Sequence, residues 1–196
     1  MDTAHPISSV IPSLEGRVLE VLAGTTAPLN LVTVARLVGD ASVSGVRLAL
    51  LRLVQGGVVL EVPGGYLLNR SHLAAGAVEE LASLRARLVE RMTEAVNSWD
   101  PKPRLVGVFG STARRDGGTG SDIDVVVVSD HSAVAPAAAE LAQLVETWTG
   151  NACHVVTVSS ADLRRMRRHG EPVLAEWERE LVVVAGERSV LKASRR

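Results

Sequence analysis

Apolar residues recur at helical spacing in the first half of the chain and in compact strand-like runs in the second half. Leu14, Val18, Leu19 and Leu22 fall three and four apart between Ser13, a capping residue, and Gly24, which predicts an amphipathic helix. Asn30 precedes a second stripe of Leu31, Val34, Ala35 and Leu37, closed by Gly39. After the turn Gly39-Asp40-Ala41-Ser42, a third stripe runs through Val43, Val46, Leu50, Leu53 and Val54, and Gly56-Gly57 stops it. The runs 58–62 and 66–68 flank Pro63-Gly64-Gly65, the pattern of a hairpin. Ser71 then opens a longer helix reaching about Asn97, with the stripe Leu81, Leu84, Leu88, Met92, Val96 and Trp99. The first reading of that stripe is a connecting helix packed on a domain, the second a dimer seam. Asp100-Pro101-Lys102-Pro103 ends it.

Beyond this point the pattern alternates between strand and helix. Strands are expected at 105–109, 123–128, 153–158 and 181–185. A turn and short helix begin at Gly110, and an alanine-rich helix spans 133–148. Ser159 or Ser160 caps a basic helix at 161–169, a further helix occupies 172–178, and the polar tail 192–196 is expected to be frayed. The fold class is therefore α+β, with domains at 1–70 and 101–196 joined by a connecting helix at 71–100. The order helix, helix, short turn, helix, hairpin resembles a winged helix-turn-helix, and the resemblance rests on element order and two glycine-rich turns.

Composition narrows the picture. The chain has 196 residues, 46% apolar and only 3% aromatic, so its cores must be built from Val, Leu and Ala. The 21 basic residues nearly balance the 22 acidic ones, so nothing overall marks a polyanion binder. The single cysteine, Cys153, allows no internal disulfide, in keeping with a reducing compartment. The first residues show no basic segment followed by a long apolar run, and no apolar stretch approaches the ~18 residues a membrane span needs. The expectation is a soluble cytoplasmic protein with no membrane partner.

The chemistry concentrates in Val108-Phe109-Gly110-Ser111-Thr112-Ala113-Arg114-Arg115 and, further on, Ser121-Asp122-Ile123-Asp124-Val125. A strand ends in Gly-Ser and turns directly into a helix. Glycine permits close backbone approach to a ligand, and a helix start presents unpaired N–H groups to an anion. Asp122 and Asp124 lie one residue apart at the start of a strand, so they point the same way. Two such carboxylates offer oxygen donors to Mg²⁺ and repel each other without a cation. Phosphate donors beside a metal-binding acid pair are what phosphoryl or nucleotidyl transfer needs.

Gly110-Ser111 followed by Asp122-Ile123-Asp124 resembles the signature of the nucleotidyltransferase superfamily typified by DNA polymerase beta, especially its minimal stand-alone members. The resemblance covers roughly 104–185 and implies an α/β domain with a mixed sheet. By that resemblance Asp122 and Asp124 hold Mg²⁺ or Mn²⁺, Gly110 and Ser111 hold phosphates of a nucleoside triphosphate, Arg114 neutralises phosphate charge, and Ser121 accompanies the acid pair. The implied reaction moves a nucleoside monophosphate onto a hydroxyl and releases pyrophosphate.

One departure matters. The family places a third carboxylate on a later strand, whereas Cys153-His154-Val155-Val156-Thr157-Val158 contains no acid. Three alternatives remain open. His154 substitutes, as an imidazole able to take a proton near neutral pH but a poorer Mg²⁺ ligand than oxygen; or Asp162 or Glu146 reaches in; or the domain binds nucleotide without efficient catalysis. The arginines Arg164, Arg165, Arg167 and Arg168 form either a solvated face or a polyanion contact. In the first domain Ser42 and Ser44 are placed to reach DNA phosphate and Arg47 guanine. Residues 1–70 hold five basic and five acidic side chains, so one copy would bind DNA weakly and a homodimer is expected. Two functions follow: a nucleotidyltransferase recruited by its winged helix, or a winged-helix regulator whose second domain senses nucleotide without turnover.

Overall fold

The computed structural model describes residues 1–192; residues 193–196, most of the tail expected to be frayed, lie outside the described residues. The chain divides into two compact units. One consists of Ala4–Arg85 with Asp2, the other of Ala86–Arg196 with Met1 and Thr3.

The first unit runs α1 (Leu14–Ala23), α2 (Leu31–Val38), α3 (Val43–Gln55), β1 (Val59–Val62), β2 (Gly65–Leu68) and α4 (Ala75–Ala82). The Asn30 side chain accepts the Thr33 N–H and the Ser42 hydroxyl accepts the Gly45 N–H, each satisfying a donor that the helix itself leaves unpaired. Ser13 occupies the cap position of α1 without a side-chain cap bond. β1 and β2 pair antiparallel, and Leu29 adds an antiparallel bridge to Tyr66. Val18, Leu22, Val34, Val46, Leu50 and Leu68 form a fully buried core. Leu37 and Val43, expected on inner stripes, face outward instead, and Val38 takes the buried place on α2. The reason is angular: Val34, Val38 and Ala35 span an arc of about 100° that faces the core, and Leu37 lies about 60° outside its edge.

The one helix expected over 71–97 is in fact two, α4 and α5 (Leu84–Asn97). Between them the Ser83 hydroxyl donates to the Glu80 carbonyl at 2.8 Å, a local bond that competes with the helical ladder. Nor does Ser71 cap a helix. Its N–H is taken by the Asn69 side chain in a turn, and α4 starts at Ala75.

The second unit continues from α5 through β3 (Leu105–Phe109), α6 (Gly110–Arg114), β4 (Ile123–Val128), α7 (Val134–Thr149), β5 (Cys153–Val158), α8 (Ser160–His169), α9 (Pro172–Glu180) and β6 (Val182–Gly186). The sheet order is β5-β4-β3-β6. β5 is parallel to β4, while β3 is antiparallel to both its neighbours, so the sheet is mixed. Val106, Val108, Ile123, Val125 and Val127 pack on one face against α5 and α7, with Leu88, Met92, Val96, Leu141 and Val145. Leu105, Val126, Val128 and Val158 pack on the other face against α8, α9 and the chain beyond β6, with Leu163, Leu174, Trp177 and Leu191. Helices on both faces explain why Val125–Val128 reads as an unbroken apolar run rather than an alternating one. Among the described residues, no helix is long and apolar enough to cross a membrane.

Cys153 is buried on the α7 side of the sheet. Burial first, then the charges of Glu146 and Asp124, push its thiol up to about 12. Since the thiolate is the nucleophile, native protein at pH 8 should leave a thiol reagent essentially unconsumed, and denatured protein should consume one equivalent; rapid labelling of native protein would contradict this burial.

Candidate active site

β4 brings Asp122 and Asp124 to one end of the sheet, on the face covered by α9. In the strand register Asp124 lies opposite Phe109 of β3 on one side and His154 of β5 on the other. Partners in register project from the same face. The His154 Nδ1 accordingly lies 3.7 Å from Asp122 Oδ2 and 3.8 Å from Asp124 Oδ1. These are electrostatic distances, beyond a direct hydrogen bond. The Asp124 carboxyl is held above the usual carboxylate range. Burial is the main cause, the His154 ring opposes it, and the negative charges of Asp122 and Glu176 add to it.

Glycine is dictated at position 110 twice over. Its φ is 69°, in the left-handed region, and a methyl there would meet Asp124 Oδ2 at 2.7 Å. The turn out of β3 is therefore pressed directly against the carboxylate. Gly110→Ala should cost about 1–2 kcal/mol from the backbone alone. It should also displace the Asp124 carboxylate, so that turnover falls at least tenfold. A thermal midpoint and turnover both equal to wild type would contradict the close approach.

Ser111 is half-buried in the first turn of α6. Ser121 accepts the Gly118 N–H on its hydroxyl at 2.9 Å, and its carbonyl accepts from Asn151 at 2.9 Å. Arg114 is engaged by acids: its Nε lies 3.0 Å from Asp116, and its Nη1 lies 2.7 Å from Glu176 and 3.6 Å from Glu180. These carboxylates compete with phosphate for the Arg114 guanidinium. Arg114, Glu176 and Glu180 also border an open cleft of about 880 Å³ with Pro172 and Arg179.

Of the acids considered as substitutes for the missing carboxylate, neither reaches the pair. Asp162 closes a capping box with Ser159 and pairs with Arg165, at the opposite end of β5 from His154. Glu146 accepts the Cys153 N–H at 3.1 Å. Of the three candidates, His154 is the one beside both aspartates. The arginines of α8 likewise leave the far end of β5; Arg165 pairs with Asp162, and Arg167 lies 3.7 Å from Glu178. In the other unit, Ser42, Ser44 and Arg47 are all exposed at the start of α3, with the two hydroxyls 3.2 Å apart.

Asp122 is about half exposed and Asp124 about a third. Among the described residues, no group of three or more His, Cys, Asp or Glu is arranged to hold a metal ion by itself. This donor set does not make a closed protein cage. It does fit Mg²⁺ or Mn²⁺ that takes one or two carboxylates and completes its shell with water and substrate phosphates.

Glu176, Asn151 and Thr3 entered the site without being anticipated. Glu176 had a signal, since Glu176 and Glu180 are four apart on one helix face. Asn151 and Thr3 had none, because their neighbours are distant in sequence.

Residues 88–183 match the family described as "Nucleotidyltransferase domain". The matched segment runs from α5 to β6 and contains the aspartate pair, the Gly-Ser turn and His154. This part of the chain is thus similar to a nucleotidyltransferase domain, and its sheet is mixed, as that resemblance implied. Solved structures similar to the chain include a toxin–antitoxin with AMP-PNP, at 18% identity over 53% of this chain and 77% of that one, TM-score 0.39. Another is a tri-AMPylated Shewanella oneidensis HEPN toxin in complex with MNT antitoxin, at 17% identity over 54% and 75%, TM-score 0.36. A toxin–antitoxin MntA–HpeT mutant matches at 17% identity over 53% and 76%, TM-score 0.37. Likenesses this distant carry no weight for function. No curated protein matches the chain.

Proposed function

We propose that the chain is a Mg²⁺-dependent nucleotidyltransferase, which moves a nucleoside monophosphate from a nucleoside triphosphate to a hydroxyl acceptor and releases pyrophosphate. The observation that carries this reading is the convergence of Asp122, Asp124 and His154 on one face beside the Gly110 turn. Asp122 and Asp124 would hold the divalent ion, which would supply charge neutralisation for the triphosphate and polarisation of the reacting phosphorus. Gly110 and Ser111 receive phosphate oxygens, and Ser121 fixes the segment leading into Asp122. His154, exposed and beside both aspartates, is placed to take the proton of the attacking hydroxyl.

The other unit is proposed to be a winged helix that binds DNA or a protein partner. Its support is the element order and the Leu29–Tyr66 bridge that ties the hairpin to the segment before α2. Leu48 and Leu51, about half exposed, stand on α3 near Arg47. That mixture favours a protein surface over phosphate backbone, although Ser42, Ser44 and Arg47 remain the groups for DNA. A homodimer is the proposed assembly.

A second reading, a winged-helix regulator that binds nucleotide with little turnover, is favoured by one observation: the side chain beside both aspartates on β5 is an imidazole, not a third carboxylate. The test is incubation with each α-labelled NTP, Mg²⁺ and cell extract. Label transferred to protein, RNA or a small molecule, with pyrophosphate released, supports the enzyme and names the acceptor class. Nucleotide binding without release, together with salt-sensitive binding to DNA, supports the regulator. Neither binding nor release rejects both.

A further inference from the structure

The Thr3 side chain is 1% exposed, yet its Oγ1 has no hydrogen-bond partner among the described residues. A buried hydroxyl left unpaired is a burden on the fold and asks for a reason. Its surroundings supply one. A methyl placed on Gly117 would meet Thr3 Oγ1 at 2.3 Å, Ser111 Oγ at 2.9 Å and Ser121 Oγ at 2.9 Å. Three hydroxyls therefore ring one point, beside the phosphate turn and one residue before Asp122.

The arrangement is braced. Asn151 is itself buried, and its Nδ2 donates to the carbonyls of Met1 at 3.0 Å, Ser121 at 2.9 Å and Thr119 at 3.2 Å. One amide thus pins the segment carrying Thr3 to the segment leading into Asp122. Gly117, Gly118 and Gly120 place no side chain over the hydroxyls, and a methyl on Gly118 or Gly120 would meet nothing within 4 Å.

We propose that the Thr3 hydroxyl is a further ligand-binding group of this site, donating to a phosphate oxygen of a polyphosphate bound at Ser111. The inference rests on the nucleotide-binding reading given above. An acceptor oxygen fits this position: the Thr3 proton is committed to no described partner, and Ser111 beside it supplies a second hydroxyl. The ligand reaches it by displacing the short glycine backbone at 117–118.

The test is calorimetric titration of the full chain with inorganic tripolyphosphate and with ATP, each with Mg²⁺, alongside thermal unfolding without ligand. Thr3→Val should weaken both affinities about tenfold, the loss of one hydrogen bond to a charged group. Thr3→Ser should restore them. Without ligand, Thr3→Val should melt above wild type, because an unpaired buried hydroxyl has been removed. Should the Val substitution fold poorly, Thr3→Ala provides the same deletion. Affinities in Thr3→Val or Thr3→Ala equal to wild type overturn the proposal while leaving the nucleotide-binding reading intact. A wild-type protein that binds neither ligand overturns both.

Discussion

Replacing Asp124 with Asn should abolish nucleotidyl transfer while making the protein more stable. The first effect follows from removing one of the two carboxylates, Asp122 and Asp124, proposed to hold the divalent ion. Such an ion contributes several kcal/mol of charge stabilisation in the transition state, so turnover should fall about a thousandfold. The second follows from electrostatics. Asp124 has its carboxyl raised above the usual range, chiefly by burial and with Asp122 and Glu176 adding to it. A carboxylate whose native pKa exceeds its unfolded one binds more protons when folded. Stability is then greatest below the ordinary carboxylate range and is lost as pH rises through the raised value. Asparagine removes that cost at neutral pH, so the metal-free midpoint of the variant should exceed that of wild type, and the difference should shrink as pH falls toward 4. Wild-type turnover in Asp124→Asn would remove the aspartate from the chemistry. A lower midpoint would show that the carboxylate is not under strain.

Changes at His154 should separate its two possible services. Its Nδ1 stands 3.7 and 3.8 Å from the two carboxylates, on the strand where the family places an acid. His154→Ala should lower turnover at least tenfold, the usual contribution of a positioned base. His154→Asp restores an oxygen donor beside Asp122 and Asp124. In chelator it adds like charge and should lower the midpoint. With Mg²⁺ it should regain the loss, show a steeper metal dependence and support turnover at or above wild type. Turnover unaffected by His154→Ala would leave the ring a bystander. A His154→Asp protein indifferent to Mg²⁺ would show that no ion sits beside this strand.

Much of the site was legible in the sequence because its key spacings are short. Asp122 and Asp124 share a side by strand alternation alone, and Gly110-Ser111 announces a turn by residue type. His154 was marked only through the family resemblance; its place opposite Asp124 comes from the parallel register of β5 on β4. What could not be read was the company these residues keep from afar. Arg114 looked free for phosphate, but Glu176 and Glu180, more than sixty residues on, hold it. Asp162 looked near the strand, but it leaves the wrong end of β5 and is spent on a cap. In the helical unit the stripes were correct in period and wrong in phase at Leu37 and Val43, since a stripe does not say which of its edges meets the core. The break at Ser83 was hidden because the stripe Leu81, Leu84, Leu88 passes through it without interruption.

The most direct test of the central claim is a crystal of the full chain grown with Mn²⁺ and a non-hydrolysable nucleoside triphosphate, with anomalous scattering used to locate the metal. The expected result is a Mn²⁺ peak beside the carboxylates of Asp122 and Asp124, with phosphate oxygens reaching the Gly110-Ser111 turn. A metal bound elsewhere, or a triphosphate that avoids this end of the sheet, would contradict it.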